Sequence, residues 1–391
     1  MQQPAKDLLD PVNANESDGS AASAAGKART ATGILPLQEL DFLARTSREI
    51  VGLEPIQDNQ LQPASLDLRL GATAYRVRAS FLPGAGATVQ ERLEDLTMHT
   101  MDITHGGVLE RGCVYIVPLL ESLALRYRMT AVGNPKSSTG RLDVFTRLIT
   151  DNGTQFDRVP EQYRGPLYAE VSPRTFSILV RKGSRLNQLR IRRGSPPVSD
   201  PQMRALQREH GLVGALTEDD IVNGVPVTVD VSGENTNGLI GYRAKSHTGL
   251  IDVDRVRHYD VADFWDPVHA PRRGGLVLDP EDFYILASRQ PVKVPDTHAA
   301  EMVAYDTLVG EFRVHYAGFF DPGFGFGDRS ATGSRAVLEV RSFEVPFVIE
   351  DNQTVGRLMY ERLTERPAKL YGSAANSYQG QGIALSKHFR Q

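Results

Sequence analysis

Cysteine is almost missing: Cys113 stands alone in 391 residues. One thiol per chain excludes an internal disulfide framework and any zinc site built on several cysteines. Cys113 lies in an apolar run that reads as a strand, so it is expected to be a small buried hydrophobe. Long hydrophobic runs are missing too, and none approaches the ~20 residues that a membrane-spanning helix needs. The start lacks the basic and apolar regions of a secretion signal; the cytoplasm is the expected location, with no membrane partner. Nor is there an excess of one charge, because 44 Lys and Arg against 48 Asp and Glu leave a net charge of −4 with the signs interspersed. That composition gives no basic footprint for nucleic acid. A small anion needs only a local cationic pocket.

What is present is present twice. Tyr115-Ile116-Val117 recurs as Tyr284-Ile285-Leu286, and Leu167-Tyr168-Ala169-Glu170-Val171 recurs as Ala336-Val337-Leu338-Glu339-Val340, both 169 residues later. Leu189 meets Leu358 at the same step, and PASLDL (63–68) is echoed by PVTVDV (226–231) at a slightly shorter one. This period is far longer than a solenoid repeat. Two domains are expected, each long enough to bury a core and close to the usual ~150 residues per domain. Short, β-branched, alternating runs such as 64–70, 114–119 and 176–180, broken by Gly, Pro and Asn, predict all-β units with minor helices. The expected divisions are a disordered tail over 1–32, a first module over 33–195, a linker and helix over 196–215, a second module over 216–370 and a C-terminal tail over 371–391. Residues 36–45 and 201–210 have helical spacing, the latter stopping at Gly211. The final tail is rich in Gly, Ser and Ala and is expected to be mobile until something orders it.

Three stretches carry candidate chemistry. Residues 134–141 place Lys136, Ser137, Ser138 and Arg141 in a turn-forming segment, where hydroxyls, backbone N–H groups and a guanidinium suit phosphate oxygens; a solvated loop reads the same way. Next, GTQFD (153–157) precedes Glu170 on a strand, as AGFFDPG (317–323) precedes Glu339. A glutamate facing inward has its pKa raised by desolvation and is suited to proton transfer, whereas one facing water is not. The tail contributes Tyr378, Gln379 and Gln381 between glycines, followed by Ser386 and Lys387. It reads either as a lid or as simple disorder.

Together with LYAEV (167–171), RLNQL (185–189), YRG (163–165) and VLEV (337–340), these stretches resemble the dCTP deaminase family, a branch of the trimeric dUTPase-like β-barrels. The resemblance covers nearly everything from about residue 33, in the family's long tandem-duplicated form. It implies two dUTPase-like distorted β-barrel or jelly-roll modules. It assigns phosphate and base contacts across a subunit boundary to Ser137, Ser138 and Arg141. Lys136 stands where the family usually has arginine, which keeps the charge and loses the bidentate fork. The catalytic glutamate falls on Glu170 in copy one and Glu339 in copy two, with Asp157, Asp321 and Ala317 at substrate-contact positions and Tyr378, Gln379 and Gln381 in a closing tail. Mg²⁺ is expected to ride on the dCTP triphosphate. No zinc is expected, since the zinc-deaminase Pro-Cys-x-x-Cys signature needs two cysteines. The implied assembly is a homo-oligomer, a trimer of two-module chains or higher.

The copies are unequal. Where copy one has Ser137 to Arg141, copy two reads Asp306-Thr307-Leu308-Val309-Gly310, without the guanidinium; copy one in turn lacks the Tyr-Gln-Gly-Gln-Gly tail. A working pocket should therefore join copy-one phosphate contacts to the copy-two tail. Two arrangements are open: Arg141 meets Glu170 of a neighbouring first copy, the favoured one, or it faces Glu339 and Asp321. The expected reaction is hydrolytic deamination of dCTP to dUTP and ammonia. The alternatives are dUTP pyrophosphatase chemistry, alone or following deamination, with Asp157 or Asp321 orienting water, and a nucleotide-binding regulator without catalysis.

Overall fold

Each copy builds the same pair of sheets, strand for strand, in a computed structural model that describes residues 31–196, 199–234, 236–304, 312–315, 318–326, 333–342, 344–373 and 382–391. In copy one, Met129–Pro135 lies between Asn187–Arg193 and Arg158–Val159, and Arg164–Pro173 lies between Val114–Ala124 and Val144–Thr150. In copy two, His298–Ala304 lies between Thr354–Arg362 and Phe319–Phe320, and Ser334–Ser342 lies between Phe283–Val292 and Phe312–His315. The protein is mostly β, as its alternating runs predict.

The repeat step is a register. Glu170 pairs across from Ile116 and Glu339 from Ile285, so the two glutamates occupy equivalent places on equivalent strands. Arg164–Pro173 is buried from Leu167 onward because both faces of its sheet are covered there. One face joins the core that holds Val117, Leu148, Ala169 and Leu189. The other carries Ile116, Ile149 and Tyr168 and packs under the helix Val89–Leu96 through Val89 and Leu93. That helix starts on a capping box, with the Thr88 side chain accepting from the Glu91 amide and Glu91 accepting from the Thr88 amide, which satisfies two orphan donors.

In copy two only the one-turn helix Val261–Phe264 stands at the equivalent place among the described residues, and its Phe264 joins the core of the equivalent outer face. Residues Phe283, Ile285 and Val337 of that face share a core with copy one, together with Trp265 and the tail residues Leu385 and Phe389. Phe176 of copy one meets Trp265 edge-on at 5.4 Å, and Ile251–Asp252 pairs in parallel with Ile178–Val180 across the boundary. Residues from Thr32 onward thus form one compact unit.

Two local expectations are corrected. Cys113 is half-buried at the rim of the core, its sulfur 4.0 Å from Glu110 Oε2, because its strand Val114–Ala124 begins one residue later. The last ten residues are ordered rather than mobile: Leu385 and Phe389 are buried apolar groups, and Phe389–Arg390 pairs with Tyr259–Asp260. Of the tail 1–32 expected to be disordered, residues 1–30 lie outside the described residues, while Thr32 accepts from Arg128 Nη2 at 3.2 Å.

Candidate functional site

The boundary between the copies encloses a cavity of about 280 Å³. Copy one supplies Lys136, Ser137, Ser138 and Arg141, presented where the strand Met129–Pro135 turns into the one-turn helix Ser137–Gly140. Copy two supplies Glu339 from its strand and Asp321 from the loop after Phe319–Phe320. Met302, Phe319, Phe320, Phe324 and Tyr371 form an apolar wall, and Lys387 reaches in from the tail. Six of the residues singled out in the sequence therefore meet in one chain.

Arg141 Nε lies 4.0 Å from Glu339 Oε1, with both side chains nearly out of contact with solvent. Burial disfavours the carboxylate and outweighs the attraction of the guanidinium, so the Glu339 pKa is pushed up to about 8. Arg141 is held from the other side by the tail, donating through Nη1 to the carbonyls of Ala384 at 3.1 Å and Leu385 at 3.5 Å. Those carbonyls are fixed in turn: Ser386 Oγ donates to the Ser138 carbonyl at 2.7 Å and sits 2.8 Å from His388 Nδ1. His388 Nε2, 2.9 Å from the Val253 carbonyl, is the donor there. Burial pushes the His388 ring down to about 4, so it is neutral at physiological pH.

Two further pairs of opposite charge flank the cavity. Lys136 binds Asp67, from the PASLDL stretch. Burial raises the Asp321 pKa against the opposing pull of Arg190, which donates to its Oδ1 at 3.2 Å. Burial, and then the charge of Lys136, lower the pKa of Lys387.

Asp157 and Glu170 are elsewhere. Asp157 accepts from the Leu148 amide at 2.7 Å and burial pushes it up to about 7, but it does not line the cavity. Glu170 faces the side of its sheet that the helix Val89–Leu96 covers, and it is bound by Arg147. Ala317, Tyr378, Gln379 and Gln381 lie outside the described residues, as do 306–310.

Sequence reasoning missed Asp67 and Arg190, and it named Lys387 only as part of the tail. Asp67 carried a signal, because it recurs as Asp230, which pairs with Arg335 at 2.7 Å. Arg190 carried none, since its partners lie more than 100 residues away.

Residues 31–195 match the 2′-deoxycytidine 5′-triphosphate deaminase N-terminal domain family, and residues 199–389 match the C-terminal domain family of the same enzyme. The chain belongs to the dCTP deaminase family. The crystal structure of 2′-deoxycytidine 5′-triphosphate deaminase from Agrobacterium tumefaciens is 54% identical, with a TM-score of 0.82 over 86% of this chain and 99% of that one. Family members of single-module length also align. A dUMP-forming dCTP deaminase of Mycolicibacterium gilvum is 27% identical over 49% of this chain and 96% of its own length. A dCTP deaminase of Haloarcula marismortui is 27% identical over 42% of this chain and 84% of its own.

Proposed function

We propose that this chain hydrolyses the exocyclic C4–N bond of dCTP, giving dUTP and ammonia, with Glu339 rather than Glu170 as the proton carrier. The observation that carries the assignment is the meeting of Arg141 and Glu339 in one cavity. A carboxyl with a pKa near working pH can take a proton from the water that attacks C4 and return it to the departing amine, since neither transfer is then steeply uphill. Arg141 favours the ionised form of Glu339 and, anchored by the Ala384 and Leu385 carbonyls, fixes its direction. Ser137, Ser138, Lys136 and Lys387 supply hydroxyls and cations for the triphosphate.

The pocket carboxylates besides Glu339 are already engaged, Asp67 by Lys136 and Asp321 by Arg190. Mg²⁺ is accordingly assigned to the triphosphate of the incoming nucleotide. A threefold homo-oligomer acting in the cytoplasm belongs to the same reading, although the Arg141–Glu339 pair comes from one chain. No helix among the described residues is long and apolar enough to cross a membrane.

A second product is favoured by one observation: Asp321 lines the same cavity, where it can orient a second water toward the α-phosphate and release dUMP. The test is incubation with dCTP and Mg²⁺ after exhaustive chelation of transition metals, following ammonia and nucleotides by chromatography. Ammonia with dUTP is expected; dUMP and pyrophosphate would add the second step. Untouched dCTP beside hydrolysed dUTP would overturn the reading in favour of a pyrophosphatase.

A further inference from the structure

Side chains two residues apart on a strand share a face, so Glu339 and Arg341 both look out of copy two toward copy one. They meet two residues that are themselves two apart, Arg141 and Asp143, just beyond the helix Ser137–Gly140. The charges cross: Arg141 faces Glu339, and Arg341 binds Asp143. Arg341 Nη2 also donates to Thr175 Oγ1 at 2.9 Å, and Thr175 donates to Asp143 Oδ2 at 2.6 Å. Through Nη1, Arg341 donates to the Glu281 carbonyl. The Arg341 and Asp143 side chains are 8% and 2% exposed. Copy one has Ser172 where copy two has Arg341, so the clasp belongs only to the copy whose glutamate lines the cavity.

We propose that Arg341 and Asp143 are a positioning pair that registers Glu339 against Arg141 across the copy boundary and balances the charge Glu339 experiences. The proposal rests on the reading of Glu339 as the proton carrier. Buried ion pairs are poor stabilisers, and apolar replacements are often neutral or better for stability, which directs attention to the electrostatic effect of this one. Asp143 opposes ionisation of Glu339 by like-charge repulsion, and Arg141 favours it. Arg341 offsets Asp143. Other charged groups around the pair and the cavity are Glu281, 3.5 Å from Arg341 Nη1, Asp282, which also feels Arg341, and Asp67, Lys136, Asp321 and Lys387.

The geometry requires opposite responses from its two members. Arg341→Met leaves the Asp143 charge uncompensated and should move the acid limb of the kcat/KM profile for dCTP to higher pH. Asp143→Asn should move it to lower pH, each by about one unit, and the double variant should return close to the parent. A purely structural role would lower activity without opposed shifts, and limbs that move together or not at all would overturn the proposal. If Arg341→Met does not fold, as checked by thermal unfolding, the sign of the shift in the nearly isosteric Asp143→Asn decides alone. Glu339→Gln separates the two failures. Full activity in that variant overturns the reading of Glu339 and this proposal with it, whereas an inactive variant beside unmoved limbs overturns the positioning pair only.

Discussion

Arg147 sits directly across from Glu170 on the neighbouring strand and donates to Glu170 Oε1 through Nε at 3.0 Å and Nη2 at 2.5 Å. The same guanidinium stacks on Phe156, its carbon 3.4 Å from the ring centroid, so the cation that pairs with Glu170 is itself locked in place. In copy two the residue across from Glu339 on the corresponding strand is His315, and the guanidinium near Glu339 belongs instead to the other copy. Equivalent glutamates therefore have unlike surroundings.

From this contrast, Glu339→Gln should lower kcat for dCTP by at least about 100-fold while nucleotide binding survives, because shape is kept and the base is lost. Glu170→Gln should leave kcat within about threefold and lower stability by roughly 1–3 kcal/mol, since Arg147 loses its charged acceptor. Steady-state kinetics and denaturant unfolding of the two variants check both halves. A dead Glu170→Gln with an active Glu339→Gln would reverse the assignment.

The tail should matter to stability and to the site together. Phe389 packs against Phe264 at 5.5 Å and Trp265 at 5.9 Å, so Phe389→Ala should cost about 3–5 kcal/mol. Truncation after Leu370 also removes the Ala384 and Leu385 carbonyls that accept from Arg141, and it should weaken nucleotide binding or turnover. A truncated chain with parental stability and kinetics would show that the tail holds nothing.

Much of this was legible in the sequence, and the part that was not has a common cause. The 169-residue step between Glu170 and Glu339 became a shared strand register, and Lys136, Ser137, Ser138 and Arg141 were recognisable because they lie together in one short segment. The helix Val89–Leu96 left a legible sign in Thr88 and Glu91, which the search for alternating strands passed over. Which glutamate met Arg141 depended on which sheet face was covered, by a helix in copy one and by the other copy in copy two. That is a property of packing between distant segments, and the clasp of Arg341 on Asp143, 198 residues apart, is of the same kind.

Arg190 should support substrate binding through Asp321. It is buried, donates to the Ala300 carbonyl at 3.0 Å and to Asp321 at 3.2 Å, and lies 4.0 Å over the Phe319 ring. Arg190→Met keeps much of the stem but removes the donors, so the Phe319–Asp321 wall loses its tether and burial leaves Asp321 protonated more readily. KM for dCTP is expected to rise about tenfold with kcat nearly unchanged. A fall in kcat alone would place Arg190 in the chemical step instead.

Glu339 should also make the protein less stable as pH rises. Its carboxyl ionises near 4.5 when exposed and at about 8 in the fold, so the folded state holds a proton that the unfolded state releases. The stability this group contributes is fully present below about 4.5, falls as pH rises through 8, and is constant beyond that. The total is on the order of 5 kcal/mol as an upper bound, from roughly 1.4 kcal/mol per pKa unit. Glu339→Gln removes that dependence, because an amide pays no desolvation penalty for a charge it never carries. Denaturant unfolding of both proteins from pH 5 to 9 should show the variant gaining on the parent as pH rises, with the gap levelling off above pH 8; groups such as His388 titrate alike in both and cancel in the difference. Parallel curves would mean that Glu339 ionises normally, and that its surroundings do not prepare it to hold a proton at neutral pH.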